Sequence, residues 1–355
     1  MTAGAREGRA AAGSSRPRIV ALGGGHGLYA SLSALRLLDV DVTAVVTVAD
    51  DGGSSGRIRR ELGLLPPGDL RMALSALATG WLAGSADPAG DSAGLPWSTV
   101  LQHRMGGGGA LAGHPIGNLL LTGLMELHDD AVTALDAVAD LIGARGRVLP
   151  MSVKPLDLMA EVTSVDPDDA IRSRRIRGQS AIAATAGRVQ SVRLLPEDAP
   201  ACPEAVQAIL RADAVILGPG SWFTSVIPHL LVRELAAALT MTDAVLITVL
   251  NLEPQVGETD GFSPEEHLQV LREHCPRLEI DVVIADQDAV LDRRSLQGYA
   301  DSTGARLLLA PVAAAGARAR HDPGKLSLAV ADAAGLNRSE GDGGRHRGRT
   351  IEGGL

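Results

Sequence analysis

Two adjacent carboxylates, two glycines and two hydroxyls follow an apolar segment in the stretch 42–56. Asp50 and Asp51 offer acceptor oxygens for sugar hydroxyls or for a hard cation such as Mg²⁺. The glycines after them let a ligand approach the backbone closely, and Ser54 or Ser55 can begin a helix as its N-cap. An ordinary surface turn is the alternative, because turns use the same residue types.

A second polar loop, 23–27 (Gly-Gly-Gly-His-Gly), follows the short apolar segment 18–22. Leucines at helical spacing come after it, so the pattern predicts a strand, a glycine turn and a helix. The N–H groups at such a helix start can hold a phosphate group. His26 is either a turn residue or a donor to the ligand. The candidate ligand residues in this loop are Gly24, Gly25, His26 and Gly27.

Three more candidates stand near the starts of predicted helices. Asp69 follows a stiff Pro-Pro-Gly turn and is either part of the N-cap region of the next helix or a carboxylate of the site. His114 and Asn118 are one helical turn apart, so both can face one ligand. As isolated residues they would instead be capping groups of the helix that begins there.

The loop 218–225 (Gly-Pro-Gly-Ser-Trp-Phe-Thr-Ser) follows a third apolar segment, 212–217, and can form a second anion-binding nest at a helix start. A fourth segment, 244–250, ends at Asn251. Arg320 opens the last predicted helix, where a guanidinium can contact a diphosphate bidentately or form a local salt bridge. The candidate ligand residues from these loops are Gly218, Gly220, Ser221, Thr224, Asn251 and Arg320.

These loops need a sheet that brings them together. Apolar segments alternate with helical patterns along most of the chain, which predicts an α/β fold with a doubly wound, mostly parallel, Rossmann-like sheet. Because the carboxyl ends of parallel strands share one edge, the four loops converge there. Two further strands are predicted at 279–285 and 306–312.

A different pattern interrupts this alternation. Short alternating segments at 148–153, 157–163 and 189–194 predict a small antiparallel β insertion over about 147–194. Arginines between these strands form either a solvated connection or a dock for an acidic partner. The arginines in question are Arg172, Arg174, Arg175 and Arg177.

We expect one α/β domain over residues 17–335. The flanking segments 1–16 and 336–355 are rich in small and polar residues, which predicts disordered tails. The glycine-rich stretch 84–113 is predicted to be a long loop, either a lid or disordered.

Composition excludes several classes of protein. The 355 residues have a net charge of −9, which argues against a general nucleic-acid binder. Lys154 and Lys325 are the only lysines, so a P-loop ATPase, which needs a Walker lysine, is excluded. Two cysteines cannot build a disulfide scaffold. Without an apolar run of about 18 residues or a signal core, we expect a cytoplasmic protein with no membrane span.

Taken together, these loops resemble those of the YvcK family of gluconeogenesis factors, relatives of the transferase CofD. The resemblance covers residues 18 to about 330. The run Thr-Val-Ala-Asp-Asp-Gly-Gly-Ser-Ser-Gly at 47–56 makes it highly specific. The other matching segments are 23–28, 66–71, 113–119, 217–225 and 255–260.

The resemblance implies a CofD-like domain that binds UDP-N-acetylglucosamine and is required for cell shape during gluconeogenic growth. It implies no settled catalytic activity. CofD itself uses a divalent metal and transfers phospholactate from a nucleotide-activated donor to a deazaflavin alcohol. Two positions depart from the family pattern: His26 replaces a usual threonine, and Pro115 replaces a usual serine, which removes a hydroxyl and an N–H donor.

Three hypotheses follow from the residues and the resemblance. The first is a nucleotide-sugar-binding regulator, without a required cofactor, that acts on a protein of cell-wall synthesis and forms a homo-oligomer. The second is a CofD-like transferase in which Asp50 and Asp51 bind Mg²⁺. The third is a scaffold with a vestigial site whose basic insertion docks a partner. Aromatic residues are only 2% of the chain, which disfavours a deazaflavin pocket and hence the transferase.

Overall fold

The computed structural model describes residues 16–82, 95–163, 173–185, 187–255 and 257–336. The predicted disordered tails lie outside the described residues, apart from Arg16 and Leu336 at their inner ends. Residues 83–94 of the predicted lid also lie outside them.

Fourteen strands and thirteen α-helices make up the described part of the chain. In chain order, the strands are β1 Arg18–Gly23, β2 Asp41–Val46, β3 Trp81–Leu82, β4 Leu95–Pro96, β5 Arg147–Pro150, β6 Asp157–Thr163, β7 Ser173–Arg177, β8 Arg188–Leu195, β9 Ala214–Leu217, β10 Val245–Val249, β11 Val282–Asp286, β12 Arg306–Ala310, β13 Ala313–Ala314 and β14 Ala317–His321. The helices are α1 Gly25–Leu35, α2 Gly53–Leu62, α3 Pro67–Leu77, α4 Trp97–Gln102, α5 Ile116–His128, α6 Ala131–Leu141, α7 Gln179–Ala183, α8 Pro203–Leu210, α9 Pro228–Leu231, α10 Arg233–Met241, α11 Pro264–His274, α12 Arg293–Thr303 and α13 Pro323–Ala333. A π-helical turn, Trp222–Val226, precedes α9.

Seven of the strands form one parallel sheet in the order β12-β11-β10-β9-β1-β2-β5. Its inner strands are apolar and buried along nearly their whole length, as expected when helices cover both faces. The predicted doubly wound α/β fold with a Rossmann-like sheet is confirmed.

The order of the strands reverses between β1 and β9. From β1 the chain adds β2 and then β5 on one side, and it later returns to place β9 to β12 on the other side. In open α/β sheets, ligands bind at the carboxyl ends of the two strands that flank such a switch point. The loops after β1 and β9 are the two glycine loops singled out from the sequence.

The small antiparallel sheet is present, but it is shorter than predicted. Strands β7, β6 and β8 form it, in that order, between Asp157 and Leu195. The segment predicted at 148–153 is wrong as part of the insertion, since β5 pairs in parallel with β2 at the edge of the central sheet. Three of the arginines predicted to connect the strands instead lie on β7: Arg174, Arg175 and Arg177.

Two other local predictions are corrected. The predicted loop 84–113 includes strand β4 and helix α4 within its described part. Arg320 does not open the last helix: it lies on β14, and Asp322 caps α13 by accepting the N–H of Lys325 at 2.9 Å. At the start of α11, the side chains of Ser263 and Glu266 form a capping box. Among the described residues, no helix is both long and apolar enough to span a bilayer.

Candidate functional site

The loops after β1 and β9 touch each other at the switch point. A Cβ atom added to Gly27 would overlap the carbonyl oxygen of Pro219 and the Cα atom of Gly220, so only glycine permits this contact. Gly220 itself has φ +138°, a conformation that other residues rarely adopt. We call the region between these two loops the switch-point crevice.

Helix α1 begins within this crevice. Gly24 is its N-cap and provides no side-chain cap, so the first-turn N–H groups depend on other partners. The Gly25 N–H donates to Asp69, which leaves the N–H groups of His26 and Gly27 facing no capping side chain. The His26 side chain is exposed. The α1 start therefore has the character of an anion site.

Asp69 lies directly beside the glycine turn. A Cβ atom on Gly24 would come within 2.5 Å of Asp69 Oδ2 and of Thr47 Cγ2, so the three residues are packed together. Asp69 Oδ2 and Thr47 Oγ1 are enclosed and have no hydrogen-bond partner among the described residues. Burial, and next the charge of Asp50, raise the pKa of Asp69 to about 7. Near neutral pH, Asp69 can therefore be a donor as well as an acceptor.

The adjacent carboxylates Asp50 and Asp51 have different partners. Asp50 accepts the Gly52 N–H at 2.9 Å, and burial raises its pKa. Asp51 accepts the Ser180 N–H at 2.9 Å and is in tight contact with Gly178, so it caps the short helix α7. Within the described residues, no group of three His, Cys, Asp or Glu side chains is placed to hold a metal ion.

This arrangement fits poorly with a Mg²⁺ ion held by Asp50 and Asp51 alone, because Asp51 is already used to fasten the antiparallel sheet to the loop after β2. Asp50 instead lies close to the start of α3, which carries Asp69. A Cβ atom added to Gly68, the residue before Asp69, would lie 2.8 Å from Asp50 Oδ2. Of the charged groups that act on Asp69, Asp50 has the largest effect on its pKa.

The other predicted residues around α5 form a buried network. Ser54 Oγ lies 2.7 Å from His114 Nδ1 and accepts from Asn118 Nδ2 at 2.9 Å. Asn118 Oδ1 accepts from Arg71 Nε at 2.8 Å, and Arg71 also donates to Gln102. Desolvation, and next the charge of Arg57, lower the pKa of His114, which favours the neutral ring.

The network brings His114, Asn118 and Ser54 together as the sequence suggested, but they contact one another and tie α2, α3 and α5 together. Arg71 was not among the candidates. The only signal for it in the sequence is its position two residues after Asp69, at the end of a matching family segment.

A carboxylate of the chain itself fills the second predicted nest. Glu258 accepts from Ser221 Oγ at 2.9 Å, from Thr224 Oγ1 at 2.7 Å and from the Phe223 N–H at 3.1 Å. Burial raises the pKa of Glu258, which is 3% exposed. The donors of Ser221 and Thr224 are thus engaged by a residue that sequence reasoning missed.

Asn251 fixes the loop after β9 through its side-chain amide. Its Oδ1 accepts the Gly220 N–H and its Nδ2 donates to the Gly220 carbonyl, both at 2.9 Å. Gly218, with φ +77°, accepts from Ser31 Oγ at 2.9 Å. These contacts hold the turn against α1 and β10.

Arg320 forms no hydrogen bond or ion pair with the other candidate residues. Its side chain is exposed on β14 and forms no hydrogen bond or ion pair with another described residue. The charge of its guanidinium is consequently available to an external anion.

The chain is similar in sequence to a protein family and to several named proteins. Residues 19–317 match the family described as 2-phospho-L-lactate transferase CofD. A provisionally named gluconeogenesis factor of Mycobacterium leprae is 54% identical over 320 residues, which are 89% of this chain and 86% of that protein. The gluconeogenesis factor of Listeria monocytogenes is 38% identical over 276 residues, which are 78% of this chain and 79% of that protein.

A solved structure is also similar. The crystal structure of a member of the UPF0052 family from Bacillus halodurans has a TM-score of 0.77 and 31% sequence identity to this chain. The similarity covers 90% of this chain and 99% of that one.

Proposed function

Since this chain belongs to the CofD family, among its gluconeogenesis factors, we propose that it is a cytoplasmic regulator that binds UDP-N-acetylglucosamine or a related nucleotide sugar. Through that ligand it adjusts cell-wall synthesis and cell shape during gluconeogenic growth. We expect it to act on a protein of cell-wall synthesis and to work as a homo-oligomer.

One observation carries the proposal: the two glycine loops meet at the switch point, at the start of α1. Free first-turn N–H groups and the positive end of a helix stabilise phosphate oxygens. The diphosphate is therefore assigned to the backbone of residues 24–27, and Arg320 is the proposed cation. Asp50 and Asp69 are the proposed acceptors for sugar or ribose hydroxyls.

The remaining candidates have supporting roles in this proposal. Asn251, Gly218 and Gly220 shape the loop after β9. Ser221 and Thr224 anchor that loop through Glu258. Ser54, His114 and Asn118 hold α2, which follows the loop with Asp50, and through Arg71 they hold α3, which carries Asp69.

Binding without turnover is supported by the state of the Ser54–His114 pair. A serine hydroxyl 2.7 Å from a neutral imidazole can be activated as a nucleophile. Asn118 donates to the same oxygen and leaves the hydroxyl proton for His114, but both Ser54 and His114 are buried, which limits the access of a ligand to this oxygen. We therefore assign the pair to the packing of α2 against α5.

Calorimetry tests the proposal. Wild-type protein is titrated with UDP-N-acetylglucosamine, UDP-glucose and GDP, with and without Mg²⁺, and the Asp50→Asn variant is measured beside it. We expect UDP-sugars to bind without Mg²⁺ and the variant to bind roughly tenfold more weakly, a loss of about 1.4 kcal/mol. Unchanged binding by the variant, or no binding by the wild type, contradicts the proposal.

A second assay separates a receptor from an enzyme. The protein is incubated for hours with UDP-N-acetylglucosamine and Mg²⁺, and UDP is measured. We expect the ligand to stay intact. Release of UDP in proportion to protein, abolished in Ser54→Ala, would reveal turnover that depends on the serine.

A further inference from the structure

Helix α5 carries apolar residues on opposite sides. One side is buried against α3, α4 and α6 and includes Leu121 and Met125. Successive residues are about 100° apart around a helix, so Leu119, Gly123 and Leu127 lie on the opposite side. A surface helix normally presents charged and polar residues there, and a helix that is apolar all round is normally buried all round.

This outer side of α5 is open to solvent in the described part of the chain. Leu127 is 81% exposed, and Ile116 and Leu119 are half-buried. A Cβ atom added to Gly123 would meet nothing within 4 Å, so another helix can approach closely at this point. We call the row formed by Ile116, Leu119, Gly123 and Leu127 the α5 stripe. Contiguous exposed apolar surface of this kind marks an interaction site.

The charge at the start of the α5 stripe is positive. The guanidinium groups of Arg57 and Arg104 donate to backbone carbonyl groups of the loop just before α5, both at 2.9 Å. Glu61 acts on His114 at the same end and offsets part of this charge. The N-terminal end of the helix adds the partial positive charge of its dipole.

The charge at the other end of the α5 stripe is negative. Glu126 lies in the last turn of α5, and Asp129 and Asp130 follow its last residue; all three are exposed. His128 lies beside them and interacts with Asp130. The C-terminal end of the helix dipole has the same sign as the carboxylates.

A surface with an apolar middle and oppositely charged ends is complementary to a second copy of itself. In an antiparallel pair of α5 helices centred on Gly123, Leu119 of each copy meets Leu127 of the other. Each acidic end then faces the end with Arg57 and Arg104 in the other copy. A two-fold axis makes every contact twice. A parallel pair would instead place like charges together, which is unfavourable.

We propose that the α5 stripe joins two copies of the chain in an antiparallel, two-fold dimer. The proposal rests on the homo-oligomer part of the function proposed above and is independent of its ligand. Helix α5 has 13 residues and is therefore about 20 Å long and 10 Å wide. Its outer face is smaller than the roughly 800 Å² per partner of a standard interface, so we expect a dimer that dissociates on dilution.

Sedimentation velocity of the full chain, at concentrations from micromolar to millimolar, tests the proposal. We expect the wild type to dimerise with rising concentration. Leu127→Arg and Leu119→Glu should each weaken the dimer at least tenfold, because each places an unpaired charge against a leucine of the second copy.

The double variant Leu119→Glu/Leu127→Arg tests the orientation of the pair. In the antiparallel dimer each new carboxylate faces a new guanidinium of the second copy, so the double variant should dimerise again. In a parallel pair the like charges would meet. A folded double variant that stays monomeric would overturn the antiparallel pairing.

Leu328→Arg is the matched control, because Leu328 lies on α13 and is 69% exposed. It should dimerise like the wild type. Far-UV circular dichroism shows whether each variant is folded. A wild type that is monomeric at every concentration, or a Leu127→Arg variant that dimerises like the wild type, would overturn the proposal.

The outcomes distinguish this inference from the proposed ligand. If the wild type binds UDP-N-acetylglucosamine but stays monomeric, the ligand stands and the dimer is wrong. If the wild type dimerises through the α5 stripe and binds no nucleotide sugar, the dimer stands and the ligand is wrong. If it neither dimerises nor binds, both are wrong.

Discussion

Asp69 is the residue whose protonation matters most at the crevice. Its Oδ2 is enclosed beside Gly24, and burial raises its pKa to about 7, whereas an unfolded chain releases the same proton near pH 4. Between these two pH values the folded protein binds the extra proton, so the free energy of unfolding falls as the pH rises. A neutral Asp69 would also repel a diphosphate less than an ionised one.

The first prediction is that Asp69→Asn loses this dependence. Relative to the wild type, the variant should gain on the order of 4 kcal/mol of stability between pH 4 and pH 8, because its side chain does not ionise. Urea unfolding of both proteins at four pH values measures the difference. Parallel curves for the two proteins would contradict the raised pKa.

The second prediction concerns Glu258, which accepts hydrogen bonds from both hydroxyls of the nest and from backbone N–H. Glu258→Gln should destabilise the fold by about 1–3 kcal/mol, since its amide turns a donor toward other donors. Glu253→Gln, an exposed change in the same loop, is the matched control and should be neutral within about 0.5 kcal/mol. Equal unfolding midpoints for the two variants would mean that the nest does not depend on Glu258.

For single residues, the sequence predicted which side chains lie close together but not which partners they hydrogen-bond. Ser54, His114 and Asn118 do meet, because helix starts and loops on one sheet edge converge. Their mutual hydrogen bonds depend on partners about 60 residues away, which no local pattern reveals. Glu258 was missed for the same reason, since it lies 34 to 37 residues from its partners.

Among the elements, the contact between the loops after β1 and β9 shapes the crevice. The third prediction is that Gly27→Ala separates them, because the added methyl overlaps the backbone of Pro219 and Gly220. We expect a loss of about 1–3 kcal/mol of stability and weaker nucleotide-sugar binding. Gly123→Ala in α5, where a Cβ meets nothing within 4 Å, should instead be neutral or stabilising by up to about 1 kcal/mol. Similar behaviour of the two variants would argue against a tight contact.

The hairpin of β13 and β14 carries the proposed phosphate cation. The fourth prediction is that Arg320→Lys folds normally and binds UDP-N-acetylglucosamine roughly tenfold more weakly, because lysine keeps the charge but loses the bidentate fork. The exposed position of Arg320, without a partner among the described residues, makes a change in folding unexpected. Wild-type affinity in this variant would remove Arg320 from the site.

The sequence predicted which segments are strands better than it predicted which strands pair with each other. The apolar runs at β1, β2, β9 and β10 identified buried strands, because helices cover both faces of the sheet. The segment that became β5 is just as apolar, but its hydropathy could not say that it pairs with β2 and not with the antiparallel sheet. The position of Arg320 was also mispredicted: it lies on β14, and Asp322, two residues later, caps α13.

In the whole molecule, each half of the central sheet contributes different parts of the proposed ligand site. The half with β1, β2 and β5 supplies the start of α1, Asp50 and Asp69. The half with β9, β10 and β11 supplies the turn at Gly220 and Asn251, which fixes that turn. The fold class, and the sheet edge at which the glycine loops meet, could be predicted from alternating patterns and glycine loops. The cavity at the ends of β10 and β11 could not, because it forms between three separate segments, 250–254, 261–267 and 285–295, whose packing no local pattern reveals.

A crystal structure of the protein with UDP-N-acetylglucosamine tests the central claim most directly, because it locates the diphosphate. We expect phosphate oxygens within hydrogen-bonding distance of the N–H groups of His26 and Gly27. A diphosphate bound away from the start of α1, or no bound nucleotide at saturating concentration, would contradict the assignment of the switch-point crevice as the ligand site.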